Sequence, residues 1–198
     1  NPGVSSPALK KELGLEGASC VVGFVGTLNK WHGIDLLMDA IPAVVNKDPG
    51  VRFLVVGEGL MKEEFQGFVK TKGLDKFVRF AGRRPHREIP GLVGVMDIGL
   101  MPNSNDYGSP MKIFEYMAMG KVTVAPSIPT IREIIDSPKE GVLFKPGDLS
   151  GFTDALLMLS SDEAMRRRIG EAAYKKVSEN FTWKSNAMGI LRIYDGLR

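Results

Sequence analysis

Apolar residues along the chain follow two alternating spacings. Short continuous apolar runs that stop at glycine, proline or a polar residue predict buried strands, and they lie at 21–25, 51–56, 77–80, 98–101, 122–125 and 142–144. Between these runs, apolar residues recur three and four positions apart, which predicts helices; these segments are 37–45, 60–72, 86–96, 111–119 and 131–135. From Leu149 to the end of the chain the pattern predicts helices only.

This alternation predicts an α/β fold. Strands that alternate with helices through short connections form right-handed crossovers and a parallel sheet covered on both faces. The near-continuous apolar runs agree, because a half-exposed antiparallel strand would alternate apolar and polar residues. We therefore predict a doubly wound, six-stranded, Rossmann-like parallel sheet with helices on both faces. Residues 19–198 would form this domain and residues 1–18 a linker or interdomain segment.

The fold predicts where a ligand would bind. In doubly wound sheets, ligands bind beyond the carboxyl ends of the strands, where the strand order reverses. The candidate site therefore lies in the loops after the first five strands. These loops are residues 26–33, 57–60, 81–86, 102–110 and 125–130.

Composition excludes several classes of protein. With 198 residues, 43% hydrophobic and 25% charged, the chain can bury a core that needs neither metal nor disulfide. Its net charge of +3 is too small to predict a nucleic-acid partner. Cys20 is the only cysteine, which excludes a disulfide framework and a cysteine-based zinc site and fits a reducing compartment. No apolar run reaches the roughly 18 residues that span a bilayer and no signal peptide is evident, so we expect a cytoplasmic protein. The chain begins at Asn1 without an initiator Met, which predicts a processed chain or an excised fragment.

The loop after the first strand has the composition of an anion site. Gly26 and Gly33 flank Lys30 and His32, ahead of a predicted helix N-terminus whose free N–H groups and dipole favour an anion. The same residues also suit an ordinary loop with surface charges. Trp31 could offer a stacking surface or cover the sheet edge, and we prefer the second. The chain has neither a dinucleotide-binding fingerprint nor a P-loop.

The loop after the fourth strand is the most specific stretch. Gly108 permits close approach of backbone to a ligand, Ser109 is expected to cap the next helix, and Pro110 to occupy its first position. Lys112 then falls in the first turn, where the helix dipole disfavours a cation, and Glu115 follows one turn later on the same face. A bound phosphate would remove this mismatch, and Glu115 could accept hydrogen bonds from a ribose diol. The alternative is a solvent-exposed Lys–Glu pair worth only a few tenths of a kcal/mol.

The segment 109–125 resembles the donor-site segment of GT-B glycosyltransferases, in particular glycosyltransferase family 4, also called group 1. Weaker similarity at the other strand ends extends the resemblance from about residue 19 to residue 183. It implies that the chain is the C-terminal, donor-binding half of a GT-B fold. The nucleotide-sugar-binding residues that it implies are Gly26, Thr27, Lys30, His32, Gly82, Arg83, Gly108, Ser109, Pro110, Met111, Lys112 and Glu115.

The resemblance also implies roles for these positions. Glu115 would bind the nucleotide ribose, as the second Glu of the family's E-x7-E pattern. The backbone of 108–112 would hold the sugar and the diphosphate, and Gly26 and Thr27 would lie under the diphosphate. Gly82 and Arg83 would lie beside the base.

The chain departs from the family pattern at three positions. The first Glu of the pattern falls on Tyr107, and the two usual basic residues of the first loop fall on Thr27 and His32. Lys30, His32 and Lys112 would then supply the displaced positive charge. The identity of the donor sugar, and the usual contact to its hydroxyl groups, stay open.

The resemblance implies transfer of a sugar from a nucleoside diphosphate sugar to an acceptor hydroxyl, with retention, in carbohydrate biosynthesis. The departing diphosphate would be stabilised electrostatically without a metal, since no Asp-x-Asp motif is present. No catalytic residue is assigned, and the isolated chain is expected to bind donor without transferring sugar, because the N-terminal acceptor domain would be missing. The alternatives are a non-catalytic nucleotide-sugar-binding or interaction module, or half of a sugar-nucleotide epimerase.

Basic residues cluster in the C-terminal helices. Residues 166–168 are three arginines, and Lys175 and Lys176 follow. We interpret them as a solvated helix face. Peripheral membrane contact in the full-length protein is the alternative.

Overall fold

The computed structural model describes residues 6–105 and 107–196. It contains six strands: β1 (Cys20–Val25), β2 (Val51–Val56), β3 (Val78–Gly82), β4 (Ile98–Leu100), β5 (Val122–Pro126) and β6 (Val142–Phe144). All neighbouring pairs are parallel, in the order β3-β2-β1-β4-β5-β6. This is the doubly wound order, which reverses between β1 and β4. The predicted fold class is confirmed, and the switch point is the place where a ligand would bind.

Helices connect and cover the strands. They are α1 (Pro7–Glu12), α2 (Ile34–Lys47), α3 (Lys62–Thr71), α4 (Ile89–Gly94), α5 (Met111–Ala118), α6 (Pro129–Arg132), α7 (Leu149–Ser161), α8 (Glu163–Asn180) and α9 (Trp183–Gly196). Alternate residues of β1 point to opposite faces of the sheet. Val22 and Phe24 share an apolar cluster with residues of α2, α3 and α7, whereas Val21 shares one with residues of α4 and α5. Both faces are therefore buried, which is why the strands are continuous apolar runs.

Part of the segment predicted as a linker packs as part of the domain. Helix α1 begins after Ser6, whose hydroxyl accepts a hydrogen bond from the Leu9 N–H at 3.2 Å. Leu13 and Leu15, just after this helix, are buried in the cluster that includes residues of α4 and α5. The sequence pattern missed α1 because six residues are too few to show a helical period.

The basic cluster of the C-terminal helices is only partly a solvated face. Arg166 is 8% exposed, and it donates hydrogen bonds to the carbonyl groups of Leu159 and Ser160 at 2.7 and 2.8 Å. These carbonyls belong to the last turn of α7, where the carbonyl groups have no hydrogen-bond donor within the helix. Lys176 pairs with the buried Glu140 at 3.1 Å. The interpretation as a solvated face is therefore wrong for Arg166. Across the described ranges, no helix is both long and apolar enough to cross a membrane.

Candidate functional site

Tyr116 of α5 joins β1 to β4 at the switch point. Its side chain is fully buried. Its hydroxyl accepts a hydrogen bond from the Val25 N–H at 3.0 Å and donates one to the Leu100 carbonyl at 3.3 Å. Gly99 leaves room for the ring, since a Cβ at that position would lie 2.4 Å from Tyr116 Cγ. Tyr116 thus fixes α5 against the ends of both strands. The sequence analysis assigned it no role, although a hydroxyl on a buried helix face requires a partner.

Replacing Tyr116 by phenylalanine is expected to lower the free energy of unfolding by about 1–3 kcal/mol, because the half-buried Val25 N–H and the buried Leu100 carbonyl lose their partner. Urea denaturation monitored by circular dichroism measures this change. Tyr174→Phe is the matched control, since Tyr174 is exposed on α8 and surface changes usually stay within about 0.5 kcal/mol. An equal loss in both variants would contradict the bridging role of Tyr116.

Lys112 carries a buried amine beside the end of β1. Its Nζ has no hydrogen-bond partner among the described residues. It lies 4.8 Å from the centroid of the Phe24 ring, and 3.2 Å from the position that a Cβ would take at Gly26. Burial lowers the pKa of Lys112 to about 8, and the nearby Glu115 acts weakly in the opposite direction. The cation–π contact with Phe24 compensates only part of the cost of burying this charge.

The alternative of a solvent-exposed Lys112–Glu115 pair is therefore wrong. The Lys112 amine is buried, and within the described part of the chain no ion pair joins it to Glu115. The i,i+3 spacing places the two residues on one side of α5, but the Lys112 side chain extends toward β1. An anion that entered beside Gly26 would provide the missing partner for the amine.

His32 lies next to this amine. Its Nδ1 is 2.6 Å from the Thr27 carbonyl oxygen, which can only accept, so Nδ1 carries the proton and Nε2 remains available. The ring packs against Trp31 with centroids 3.8 Å apart and lies 6.3 Å from the Phe24 ring. Burial, followed by the charge of Lys112, lowers the pKa of His32 below 6.5. At pH 7 the imidazole is therefore neutral.

The ends of the first three strands enclose a small cleft, which we call the β1–β3 cleft. Its volume is about 370 Å³ and its lining residues are Val25, Gly26, Thr27, Val56, Gly57, Glu58, Arg83, Arg84 and Ile89. Gly57 has a φ of 139°, and a Cβ there would lie 1.9 Å from the Gly26 carbonyl oxygen. Only glycine therefore allows the two loops to approach this closely. The Gly57 N–H donates to the carbonyl of Gly82 at 2.9 Å, which ties the Arg83 loop to the same cleft.

The start of α5 differs from the prediction. The helix begins at Met111, Pro110 is the N-cap with φ −81° and ψ 60°, and no side chain caps the helix. The Met111 and Ile113 N–H groups bond to the carbonyls of Ser109 and Pro110, both at 2.9 Å. The expectations that Ser109 caps the helix and that Pro110 is its first residue are therefore wrong, because the ψ of Pro110 lies outside the helical range.

Asn105 shapes the loop that precedes α5. Its Oδ1 accepts a hydrogen bond from the Gly108 N–H at 2.6 Å, and it would lie 2.5 Å from a Cβ at position 108. Glycine is thus required at position 108, because a Cβ there would clash with the Asn105 side chain. The sequence analysis did not single out Asn105, although Asn commonly bonds to the backbone two or three residues ahead.

Some predicted site residues lie apart from the Lys112 amine. Lys30 lines a different cleft, on the β4 side of the first loop. Met111 is 61% exposed and borders an apolar groove along α9. Ser109 is exposed, and Tyr107 is 89% exposed. Glu115 is half-buried, one turn after Lys112. The structure therefore gathers Gly26, Thr27, His32, Arg83 and Lys112 around the ends of β1 and β3.

The chemistry of this site is that of an anion-binding cleft. Its elements are a buried amine, an imidazole nitrogen and closely packed glycine backbone, with an arginine at one side. Within residues 6–105 and 107–196, no group of three His, Cys, Asp or Glu side chains could hold a metal ion. The expectation that no metal is needed stays a prediction.

Residues 19–162 match the model of the family described as glycosyl transferases group 1. Among curated proteins, D-inositol 3-phosphate glycosyltransferase of Corynebacterium jeikeium (strain K411) is 29% identical over 196 residues, which cover 95% of this chain and 46% of that protein. Phosphatidyl-myo-inositol mannosyltransferase of Mycobacterium leprae (strain TN) is 28% identical over 163 residues, covering 82% of this chain and 42% of that protein. The chain thus spans about half the length of the curated relatives that it matches.

Solved structures show the same fold. The C-terminal domain of the group 1 glycosyl transferase family protein LpcC from Francisella tularensis superposes with a TM-score of 0.81 at 26% identity, covering 92% of this chain and 95% of that domain. Anabaena Alr3699/HepE, solved in complex with UDP, superposes with a TM-score of 0.85 at 24% identity, covering 97% of this chain and 54% of that protein. The chain therefore corresponds almost end to end to a domain that has been solved by itself.

Proposed function

The chain belongs to the glycosyl transferases group 1 family, and from that premise we propose that it binds the nucleoside diphosphate sugar donor of a glycosyltransferase. The observation that carries this proposal is the buried Lys112 amine beside Gly26, which has no hydrogen-bond partner in the described structure. A buried cation without such a partner is costly, so the site is suited to a ligand that brings negative charge.

The diphosphate would lie beside Gly26 and Lys112. The amine would donate to the phosphate oxygens through charge-assisted hydrogen bonds, and His32, when protonated, would donate to them through Nε2. The start of α5 lies beside the same point and contributes the positive end of its dipole. Together these groups replace the two basic residues that most of the family has at the positions of Thr27 and His32.

The nucleoside would extend from the diphosphate into the β1–β3 cleft. The cleft adjoins Gly26 and has a volume of about 370 Å³. Arg83, at its edge, is exposed and would lie beside the base. Glu115 would accept hydrogen bonds from the ribose hydroxyls. The assignments of Gly82, Gly108, Ser109, Pro110 and Met111 to the donor site remain part of the same proposal. Lys30 lines a separate cleft, so it would contribute to the donor site only through its positive charge.

In the proposed transfer, the bond between the anomeric carbon and the diphosphate oxygen breaks, and the acceptor oxygen bonds to that carbon and releases its proton. The diphosphate leaves with additional negative charge. The Lys112 ammonium is already in place, so it stabilises this charge without reorganisation. We propose that the reaction proceeds with retention and without a metal.

The acceptor side of the site would come from a further part of the protein. Curated relatives are about twice as long as this chain, and we propose that an N-terminal domain binds the acceptor and completes the active site. Peripheral membrane contact and a cytoplasmic location belong to the same proposal for the longer protein. The chain by itself would bind donor without transferring sugar.

Titration calorimetry of the 198-residue chain tests the donor site. At least one of UDP, GDP and ADP is expected to bind, and to bind more tightly than its nucleoside, because the diphosphate provides the partner of Lys112. The same samples incubated with nucleotide sugars and simple sugar acceptors are expected to show no transfer by mass spectrometry. Absence of binding by all three nucleotides at millimolar concentration would refute the donor site. Turnover by this chain would refute the requirement for a second domain.

A further inference from the structure

A second cleft lies on the β4 side of the first loop, away from the β1–β3 cleft. We call it the Trp31 cleft. It has a volume of about 660 Å³, and its lining residues are Lys30, Trp31, Gly33, Asp35, Leu36, Asp39, Pro102, Asn103 and Gly147. It shares no lining residue with the β1–β3 cleft, so it can hold a second ligand.

Trp31 presents an aromatic surface to this cleft. The side chain is 56% exposed, so much of the indole is accessible to a ligand, and the interpretation that it covers the sheet edge stays a prediction. Its ring packs against His32 with centroids 3.8 Å apart, and its carbonyl accepts a hydrogen bond from Asn103 Nδ2 at 3.3 Å. The indole is therefore held in place before any ligand arrives, which reduces the entropy lost on binding.

Two carboxylates stand beside the indole. Asp35 and Asp39 are four residues apart on α2 and share one helix face, an arrangement that destabilises a helix. Asp35 Oδ1 accepts a hydrogen bond from the Leu36 N–H at 3.0 Å, which leaves Oδ2 available. Asp39 is exposed, and its carboxylate forms no ion pair with the described residues. Both carboxylates can therefore accept hydrogen bonds from a ligand.

The charges of the cleft favour a neutral ligand. The two aspartates would repel an anion such as a diphosphate. Lys30, which lines the same cleft, would repel a cation that the indole and the aspartates could otherwise attract. A neutral ligand that donates several hydrogen bonds and has an apolar face satisfies all of these groups.

We propose that the Trp31 cleft binds a saccharide ring. The C–H groups on one face of a pyranose carry partial positive charge and would stack on the indole, whose face is negative. Ring hydroxyls would donate to Asp35 and Asp39, whose ionised carboxylates act only as acceptors. The cleft has the size of a small-molecule site.

The position of the cleft assigns this saccharide to the acceptor. His32 packs against Trp31 and lies 6.3 Å from the Phe24 ring, which the Lys112 amine contacts. A sugar on Trp31 would therefore lie close to the proposed diphosphate. This assignment, unlike the binding itself, rests on the proposed function.

Tryptophan fluorescence tests the cleft directly. The chain has two tryptophans, and Trp183 is exposed on α9, so Trp183→Phe leaves Trp31 as the only tryptophan, which is excited selectively at wavelengths that tyrosine does not absorb. In that background, at least one of methyl α-glucopyranoside, methyl α-mannopyranoside and N-acetylglucosamine is expected to change the emission saturably. Asp35→Asn together with Asp39→Asn is expected to weaken binding by about tenfold or more, because charge-assisted hydrogen bonds are lost. Glu171→Gln, on the exposed surface of α8, is the matched control and should leave binding unchanged.

The controls separate this inference from the proposed function. Glycerol tests for a general polyol effect, and choline tests for cation binding. No saturable change with any of the three sugars, or an equal change with glycerol or choline, overturns the saccharide site. UDP, GDP and ADP binding is measured on the same samples. Sugar binding without nucleotide binding refutes the proposed function and the acceptor assignment but leaves the saccharide site, whereas nucleotide binding without sugar binding refutes only the saccharide site.

Discussion

Lys112→Met is expected to stabilise the free chain and to weaken nucleoside diphosphate binding in the same protein. Met has nearly the length of the Lys stem and can keep the contact with Phe24 through its sulfur. It removes a buried ammonium that has no hydrogen-bond partner among the described residues and a cation from the first turn of α5. The free energy of unfolding should therefore rise by about 1 kcal/mol. Affinity for the diphosphate should fall by about ten- to a hundredfold, because charge-assisted hydrogen bonds are lost.

Urea denaturation and titration calorimetry measure the two effects. Lys121→Met is the matched control, because Lys121 is also partly buried but its Nζ donates to the Gly94 carbonyl at 2.9 Å. That change should lower stability and leave nucleotide binding unchanged. Affinity for the nucleoside alone should fall less than affinity for the diphosphate in Lys112→Met. A loss of stability in Lys112→Met, or an equal loss of affinity for nucleoside and diphosphate, would contradict the proposed role of the amine.

Nucleoside diphosphate affinity is expected to fall by about tenfold between pH 7 and pH 9. Over this range the fraction of Lys112 that carries a proton falls by about tenfold. Burial lowers the pKa of Lys112 to about 8 in the free chain, with Glu115 acting in the opposite direction. The amine therefore loses its charge as the pH rises through about 8. His32 does not contribute in this window, because burial and Lys112 lower its pKa and it is already neutral. A bound diphosphate favours the charged amine, so binding takes up a proton above pH 8.

Titration calorimetry in buffers of different ionisation enthalpy counts this proton. Lys112→Arg is the control, since a guanidinium keeps its charge throughout the range, and the affinity of this variant should not depend on pH.

The stability of the free chain should change with pH in the opposite direction to its nucleotide affinity. Between the folded value of about 8 and the ordinary value of 10.5 the unfolded state binds more protons, so the free energy of unfolding rises with pH through this window. A flat affinity profile for the natural chain, or the same slope in Lys112→Arg, would contradict the prediction.

The strands could be predicted because each one is a local pattern. Val51–Val56 and Val142–Phe144 were predicted to the residue, and the other four strands within two residues. A strand buried on both faces must be continuously apolar, and such a run can be recognised without knowledge of the rest of the chain. The end of the predicted helix 111–119 is equally local, since Gly120 follows it with a φ of 65°, a backbone conformation that glycine adopts readily.

The orientation of site residues could not be predicted in the same way. Lys30 and His32 are two residues apart, yet one lines the Trp31 cleft and the other lies near Lys112. The short 3-10 turn that contains both decides this, and loop composition does not reveal such a turn. Likewise Ser109 and Pro110 have the residue types of a helix start, but the backbone of Pro110 places the start one residue later. Turn geometry depends on packing around the loop as well as on residue type.

The sequence by itself determined a parallel α/β sheet, the loops that carry its site, and the presence of Lys112 and Glu115 one turn apart on the helix after the fourth strand. Only the tertiary structure decided that β1 lies next to β4, so that Phe24 and Gly26 meet the Lys112 amine. The reason is physical. The spacing of apolar residues and the residue types indicate only the secondary structure that each segment prefers. The burial of the Lys112 amine, its lowered pKa and its need for an anion arise from contacts between segments far apart in the chain.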